Sequence, residues 1–170
     1  MRTLIIYYSQ AVGNTEKIAN IIKEKLNADI EKIDTVVPYT GTYEEISAQG
    51  HKEVNRGYKP EIREIKSDIS NYDRIVVATP TWWYTMAPAV LTFLTNTNLS
   101  GKDIVLVQTH AGWPGHCLDD MKKACTGNVV STIGIQFDSN GGTDMITSIN
   151  DIEDWIDKLW YINIQTEMDF

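Results

Sequence analysis

Three short stretches carry residue types and spacings suited to binding chemistry. Ser9-Gln10-Ala11-Val12-Gly13-Asn14-Thr15 offers hydroxyls, side-chain amides and a glycine, and contains no Lys or Arg. An anion held there must be held by backbone N–H groups, by hydroxyls, by the Asn14 amide and by the positive end of the helix that follows. Gly13 can take backbone angles closed to other residues, and Asn14 or Thr15 can cap the helix. A phosphate is the ligand such a loop suits. The stretch lacks the Gly-Lys-Ser/Thr of a Walker A loop and the spacing of G-x-G-x-x-G, which counts against a nucleoside triphosphate or a dinucleotide.

The second stretch, Pro80-Thr81-Trp82-Trp83-Tyr84-Thr85-Met86-Ala87-Pro88, sets large aromatics side by side in a short loop. They cannot all reach a core, and exposed ones make a surface that stacks on something flat. The third, Thr109-His110-Ala111-Gly112-Trp113-Pro114-Gly115, has small residues whose backbone can approach a ring edge rich in N–H and C=O groups. His110 invites a reading as a proton donor, but a rim histidine with no evident partner reads rather as a solvated or hydrogen-bonded loop residue. No His, Cys and Asp set has metal-ligand spacing and no Ser-His-Asp arrangement can be assembled, so neither a metal site nor a catalytic residue is assigned.

The elements that must position these stretches alternate along the chain. Thr3 to Tyr8 is an apolar first strand, and Ile18, Ala19, Ile21, Ile22 and Leu26 give the following helix its buried face. Asp29 to Ile33 predicts an edge strand, Tyr43 to Asn55 a weakly amphipathic helix, and Ile62, Ile65 and Ile69 either a short helix or an extended linker. Arg74 to Thr79 is the central strand, ended by Pro80, and Pro88 opens a helix that buries Val90, Leu91 and Leu94. Ile104 to Val107 is the fourth strand, and Cys117 to Cys125 a helix stopped by Gly127. Val129 to Phe137 is the fifth strand, in two pieces around Ser131-Thr132. Asp138 to Asp144 is turn-rich, Ile149 to Leu159 forms the last helix, and the tail from Asn163 is polar. The class is α/β: a doubly wound five-stranded parallel sheet in the order 2-1-3-4-5, helices on both faces, with ligand at the carboxyl ends of strands one and three.

A length of 170 residues with 42% hydrophobic content supports one domain over residues 1–170 with a single sizeable core. No apolar run approaches the ~20 residues of a membrane span. Met1-Arg2 leads directly into the first strand, and Cys117 and Cys125, eight apart on one helix, read as packing residues, so a cytoplasmic protein is expected. The formal net charge of −8 argues against nucleic acid and anionic membranes and for a basic protein partner or a small ligand in a local site.

A phosphate pocket and an aromatic slot on one rim predict a mononucleotide with a flat ring, and flavin mononucleotide (FMN) meets both demands. At these residues the sequence resembles the flavodoxins. The likeness runs over nearly the whole chain: Tyr7-Tyr8-Ser9 with Gly13-Asn14-Thr15, Tyr72-Asp73, Pro80-Thr81-Trp82-Trp83, Phe93-Leu94, Leu99-Ser100-Gly101-Lys102, and Thr109 with Gly112. Pro38-Tyr39, Tyr43, Glu53 and Pro60 resemble a segment of one flavodoxin-like branch, and no insertion in the last strand is evident, as in the short-chain type.

The resemblance implies that Ser9, Gln10, Ala11, Gly13, Asn14 and Thr15 hold the FMN phosphate. It implies that Pro80, Thr81, Trp82, Trp83 and Tyr84 flank one ring face and the N5 edge, and that Thr109, His110, Ala111, Gly112 and Gly115 meet the other side and the pyrimidine edge. Two departures stand out. The usual Ser/Thr-x-Thr-Gly-x-Thr has Gln10 and Val12 at its first two hydroxyl places, so the loop is one residue longer and poorer in hydroxyls. Many flavodoxins also place a glycine after the third strand, where a peptide flips toward reduced N5; Trp83-Tyr84-Thr85 contains none, so semiquinone stabilisation does not carry over.

The expected function is a low-potential FMN electron carrier, a monomer or weak homodimer that serves redox partner proteins, a reductase and an acceptor. The alternative is an FMN-dependent NAD(P)H:quinone or small-molecule reductase, for which Tyr39 to Tyr58 would form a substrate wall. A response-regulator receiver shares the strand order, but its acidic residues are replaced by Tyr8-Ser9 and Thr79-Pro80.

Overall fold

The computed structural model describes residues 1–168. In chain order it contains β1 (Thr3–Tyr7), α1 (Asn14–Leu26), β2 (Asp29–Lys32), α2 (Tyr43–Asn55), β3 (Arg74–Trp82), β4 (Thr85–Met86), α3 (Pro88–Asn96), β5 (Asp103–His110), α4 (Cys117–Ala124), β6 (Asn128–Gln136) and α5 (Ile149–Met168). The parallel strands lie in the order β2-β1-β3-β5-β6, which is the expected 2-1-3-4-5 winding once the short β4 is set aside. Side chains alternate across the sheet as strand geometry requires. Leu4, Ile6, Ile75 and Val77 join Val90, Phe93, Leu94 and Met121 beneath α3 and α4. Ile5, Val76 and Val105 join Ile18, Ile22, Ile152 and Ile156 beneath α1 and α5. Each such aliphatic side chain is worth ~1.5–3 kcal/mol when fully buried, and with both faces covered the middles of the central strands, Ile75 to Ala78 and Ile104 to Val107, are apolar at every position.

Four expectations are corrected. Pro80 does not end β3, which continues to Trp82. Beyond the pairing of Tyr7 with Ala78, β3 has lost its β1 neighbour, and Pro80 lies opposite Thr109 of β5 alone, so a residue without an N–H is tolerated there. The following loop is a hairpin: β4 folds back antiparallel, pairing Thr81 with Met86 and Trp82 with Thr85, and adds a sixth strand to the sheet. The last strand is continuous, its irregularity being a register shift that leaves Val130 without a partner between Val129 and Ser131. Finally, α5 runs to Met168, through the stretch expected to be a polar tail; residues 169–170 lie outside the described residues. Ile62 and Ile65 sit in an extended segment, with Ile62 bridged to Thr35, and Ile69–Asn71 makes one 3-10 turn before β3.

Candidate functional site

The carboxyl ends of β1, β3 and β5 open into a cleft of about 820 Å³, within the ~300–1,000 Å³ range of small-molecule sites. Its first wall is the start of α1. Gly13 is the N-cap at φ 80°, and neither Asn14 nor Thr15 caps the helix with its side chain, contrary to expectation. The cap bond comes from behind: buried Ser9 accepts the Glu16 amide on its Oγ at 3.2 Å, so Ser9 shapes the loop and does not line the cleft. The first-turn amides of Asn14 and Thr15 have no partner among the described residues, as helix geometry dictates. Ala11, at φ 54°, adds a second left-handed residue, and Gln10, Ala11, Asn14 and Thr15 all border the cleft.

Asn14 is held in place by donating through Nδ2 to the Gly142 carbonyl at 2.9 Å. Its Oδ1 is buried without a hydrogen-bond partner, an arrangement that is costly unless a ligand supplies a donor. Thr15 Oγ1 meets Thr109 Oγ1 at 2.8 Å, coupling α1 to the end of β5.

The second wall is the β3–β4 hairpin. Trp82 turns inward, edge-on to Tyr39 at 5.0 Å and to Tyr8 at 5.9 Å. Trp83 and Tyr84 form the tip, at φ 48° and 69°, and are 41% and 53% exposed. Three contacts fix this tip. Trp83 Nε1 donates to the Ser47 carbonyl at 2.9 Å, the Trp83 ring stacks on His51 at 4.0 Å, and the Tyr84 carbonyl accepts the His116 amide at 2.8 Å. Behind it, Asp120 accepts from Thr85 Oγ1 at 2.7 Å and pairs with His116 Nδ1. Pro80, Thr81, Trp82, Trp83 and Tyr84 all line the cleft.

The third wall is the segment after β5, from which Thr109, His110 and Ala111 reach the cleft. Two of the expected residues there do not. Gly112 donates its amide to His110 Nδ1 at 3.1 Å, and Gly115 is packed beneath the hairpin, where a Cβ would stand 2.3 Å from the Tyr84 carbonyl oxygen. Both therefore shape the loop, as Gly13 does in the first wall. His110 is the hydrogen-bonded loop residue the sequence suggested, and burial pushes its pKa below the usual imidazole value, favouring the neutral ring. Gln108 carries no signal in the sequence beyond being a polar residue in an apolar strand. Nearly fully buried, it donates through Nε2 to Thr81 Oγ1 at 2.7 Å and to the Pro114 carbonyl at 2.6 Å. Thr81 in turn donates to the Thr109 carbonyl at 2.9 Å, so one buried amide locks the second and third walls together.

Two further walls complete the cleft, one of them not assigned from sequence and the other within the Tyr39 to Tyr58 stretch expected as a substrate wall under the reductase alternative. The loop after β6, from Phe137 to Gly142, borders the cleft beside α1. Asp138 organises it by accepting the amides of Asn140, Gly142 and Asp144, and those bonds, that from Gly142 foremost, hold its carboxyl below the usual range. The Gly141-Gly142 turn signal was visible, but nothing local indicated that it would meet Asn14. The other wall is α2, through Gly41, Tyr43, Ile46, Ser47 and Gly50. None of the lining residues is Lys or Arg. Among the described residues no group of His, Cys, Asp and Glu could hold a metal ion, and no helix is long and apolar enough to cross a membrane. Cys117 is buried in the packing layer and burial pushes its thiol up to about 12, which keeps it protonated and unreactive.

The arrangement is a cation-free cradle of amides and hydroxyls joined to an aromatic wall, at the point where the winding reverses. No curated protein matches the chain. Among solved structures, a flavoprotein from Bacteroides eggerthii DSM 20697 is similar at a TM-score of 0.72 and 24% identity, over 92% of this chain and 96% of that one. A flavoprotein in complex with FMN from Lactobacillus acidophilus NCFM is similar at a TM-score of 0.67 and 23% identity, over 78% of this chain and 92% of that one. A flavodoxin from Streptococcus pneumoniae TIGR4 follows at a TM-score of 0.55 and 19% identity, over 95% of this chain and 99% of that one. At such identities the likeness is one of fold. The family model described as Flavodoxin matches residues 2–159, nearly the whole sequence, and the chain therefore belongs to the flavodoxin family.

Proposed function

We propose that this protein binds FMN in the cleft and passes electrons through it. The observation that carries the reading is the junction, in one cavity, of free helix-end amides with an aromatic hairpin. The residues present fit the group. The amides of Asn14 and Thr15, with the left-handed turns at Ala11 and Gly13, form a concave run of donors for a phosphate. Asn14 Oδ1, an acceptor, would repel phosphate oxygens and suits a hydroxyl of the polyol chain. The Thr15–Thr109 pair uses one hydroxyl proton internally and leaves the other free to donate. Trp82, Trp83 and Tyr84 supply the aromatic flank, and Thr109, His110 and Ala111 the polar edge.

Bound FMN supplies one- and two-electron redox chemistry. The chain's own residues bind it, orient it and set its electrostatic surroundings. With no Lys or Arg on the lining and a net charge of −8, those surroundings disfavour added negative charge, the behaviour of a low-potential carrier. Tyr84 and Trp113, 53% and 60% exposed at the cleft, leave an edge open to a redox partner protein. The α2 wall favours a second reading, a small-molecule reductase, because a carrier that meets only proteins has no need of a helix along its cofactor cleft.

Denaturing the purified protein and identifying the released flavin tests the binding reading: FMN is expected, and a colourless protein that takes up no added FMN would refute it. Mixing the loaded protein with NAD(P)H and a quinone separates the two roles. Turnover without an added reductase protein supports the enzyme, and none supports the carrier.

A further inference from the structure

The helix α2 is held mainly by the hairpin and is nearly absent from the core. Only Gly50 and Glu53 of its residues are buried. Its attachments are the Trp83–Ser47 hydrogen bond, the His51–Trp83 stack, Gly50 against the Trp82 ring, and the bond at 2.5 Å from Tyr39 Oη to Glu53 Oε2. A Cβ at Gly50 would lie 3.0 Å from the Trp82 ring, so the helix approaches that indole as closely as a glycine permits. Its start is fixed independently by a capping box, in which Glu45 N donates to Thr42 Oγ1 and Thr42 N to Glu45 Oε2. The wall is thus fastened to the ring-flanking hairpin at several points.

Resting on the FMN reading, we propose that α2 forms a subsite for a flat, uncharged conjugated carbonyl compound of the quinone class, with Tyr43 as its stacking residue. Tyr43 lines the cleft yet is 76% exposed, and among the described residues its ring and its hydroxyl have no partner. Ser47 presents a second hydroxyl without a partner one helical turn later, and such hydroxyls suit carbonyl oxygens. Neutrality follows from the lining. It contains no Lys or Arg to hold an anionic substituent, and its carboxylate, Asp138, is already taken by three backbone amides and so is a poor partner for a cation. Flatness follows from the tyrosine face, since ring stacking adds ~0.5–1.5 kcal/mol beyond area burial.

The test uses the oxidised, FMN-loaded protein, with 1,4-naphthoquinone as probe and its 2-sulfonate as a charged comparator, in calorimetric titrations. Flavin content is measured in parallel after denaturation, and circular dichroism checks each variant's fold. Saturable naphthoquinone binding, weaker binding of the sulfonate, and a roughly tenfold loss in Tyr43→Ala with Tyr43→Phe near wild type are expected, with flavin content unchanged. A flavin-loaded wild type that binds no naphthoquinone, or binds it equally well after Tyr43→Ala, overturns the subsite alone. Loss of flavin in Tyr43→Ala also overturns it, by assigning Tyr43 to the cofactor. A wild type that holds no flavin overturns the FMN reading, and the subsite with it.

Discussion

Trp83 and Tyr84 occupy the two central positions of a hairpin turn that ordinarily takes Asn-Gly, both at positive φ. A left-handed conformation costs a residue with a Cβ ~1–2 kcal/mol, and the tethers to Ser47, His51 and His116 hold the turn in it. Tyr84→Gly is therefore expected to raise stability by about 1 kcal/mol in urea unfolding. A fall would mean that the half-exposed tyrosine ring contributes more than its backbone loses. Gly115→Ala should act oppositely, because its Cβ would strike the Tyr84 backbone at 2.3 Å and its own φ is 55°. A loss of ~2–4 kcal/mol is expected, from overpacking together with strain, read as a lowered urea midpoint. At Asn14, replacement by Ala removes both the tie to Gly142 and the buried acceptor. FMN dissociation constants from fluorescence titration should rise roughly tenfold, the equivalent of about one hydrogen bond.

The helix α2 buries only Gly50 and Glu53, with Ile46 packed at the core's edge, since its apolar stripe is weak and its other attachments are a few polar and aromatic contacts with the hairpin and Tyr39. Trp83→Phe keeps a ring against His51 but deletes the hydrogen bond to Ser47. Hydrogen exchange of the Tyr43–Asn55 amides should then quicken several-fold, while those of β3 and β5 stay protected, since local opening follows local contacts. Equal quickening throughout would show that α2 and the sheet unfold as one unit. The span Tyr43 to Asn55 was expected from weak amphipathicity alone, and the capping pair Thr42 and Glu45 that fixes its start is a local signal that reading did not use. A wall from Tyr39 to Tyr58 was expected only under the reductase alternative, and the contacts that set α2 there were not legible, because they join residues about 36 positions apart, as Trp83 does with Ser47.

At the scale of the whole molecule, pH acts through three tyrosines at the sheet's ligand end. Burial foremost, with hydrogen bonds or charge from Glu16 and Glu53, raises the pKa values of Tyr7, Tyr8 and Tyr39 above the ordinary 10.0. Each folded pKa exceeds its unfolded one, so the stability they lend is fully present below about pH 10 and is lost as pH rises beyond it. Urea midpoints should fall steadily above pH 10, and Tyr39→Phe should flatten that fall; an unchanged slope would remove Tyr39 from the account. The absence of Lys and Arg from the lining and the net charge of −8 act together on the flavin. The midpoint potential of the loaded protein is expected below that of free FMN in a redox titration, and a higher value would overturn the low-potential reading.

The sequence by itself determined the alternation of strands and helices, from which the common 2-1-3-4-5 order was expected, and the lack of cations in the first loop. Strand and helix periodicities are local, a β-branched run such as Ile75 to Ala78 bounded by polar residues reads as a doubly covered strand, and a loop without Lys or Arg can hold an anion only by amides, hydroxyls and a helix end. Tertiary structure alone decided which loop residues face the cleft and which shape it from behind. Ser9, Gly13, Gly112 and Gly115 have the composition of ligand contacts, yet one caps α1, one starts it, one fixes His110 and one underlies the hairpin. It also decided the wall built by the Asp138 loop and the tie that buried Gln108 makes between the second and third walls. Those roles depend on partners distant in the chain, such as Asn14 with Gly142, and a pattern read along one strand of residues holds no record of what another segment will bring against it.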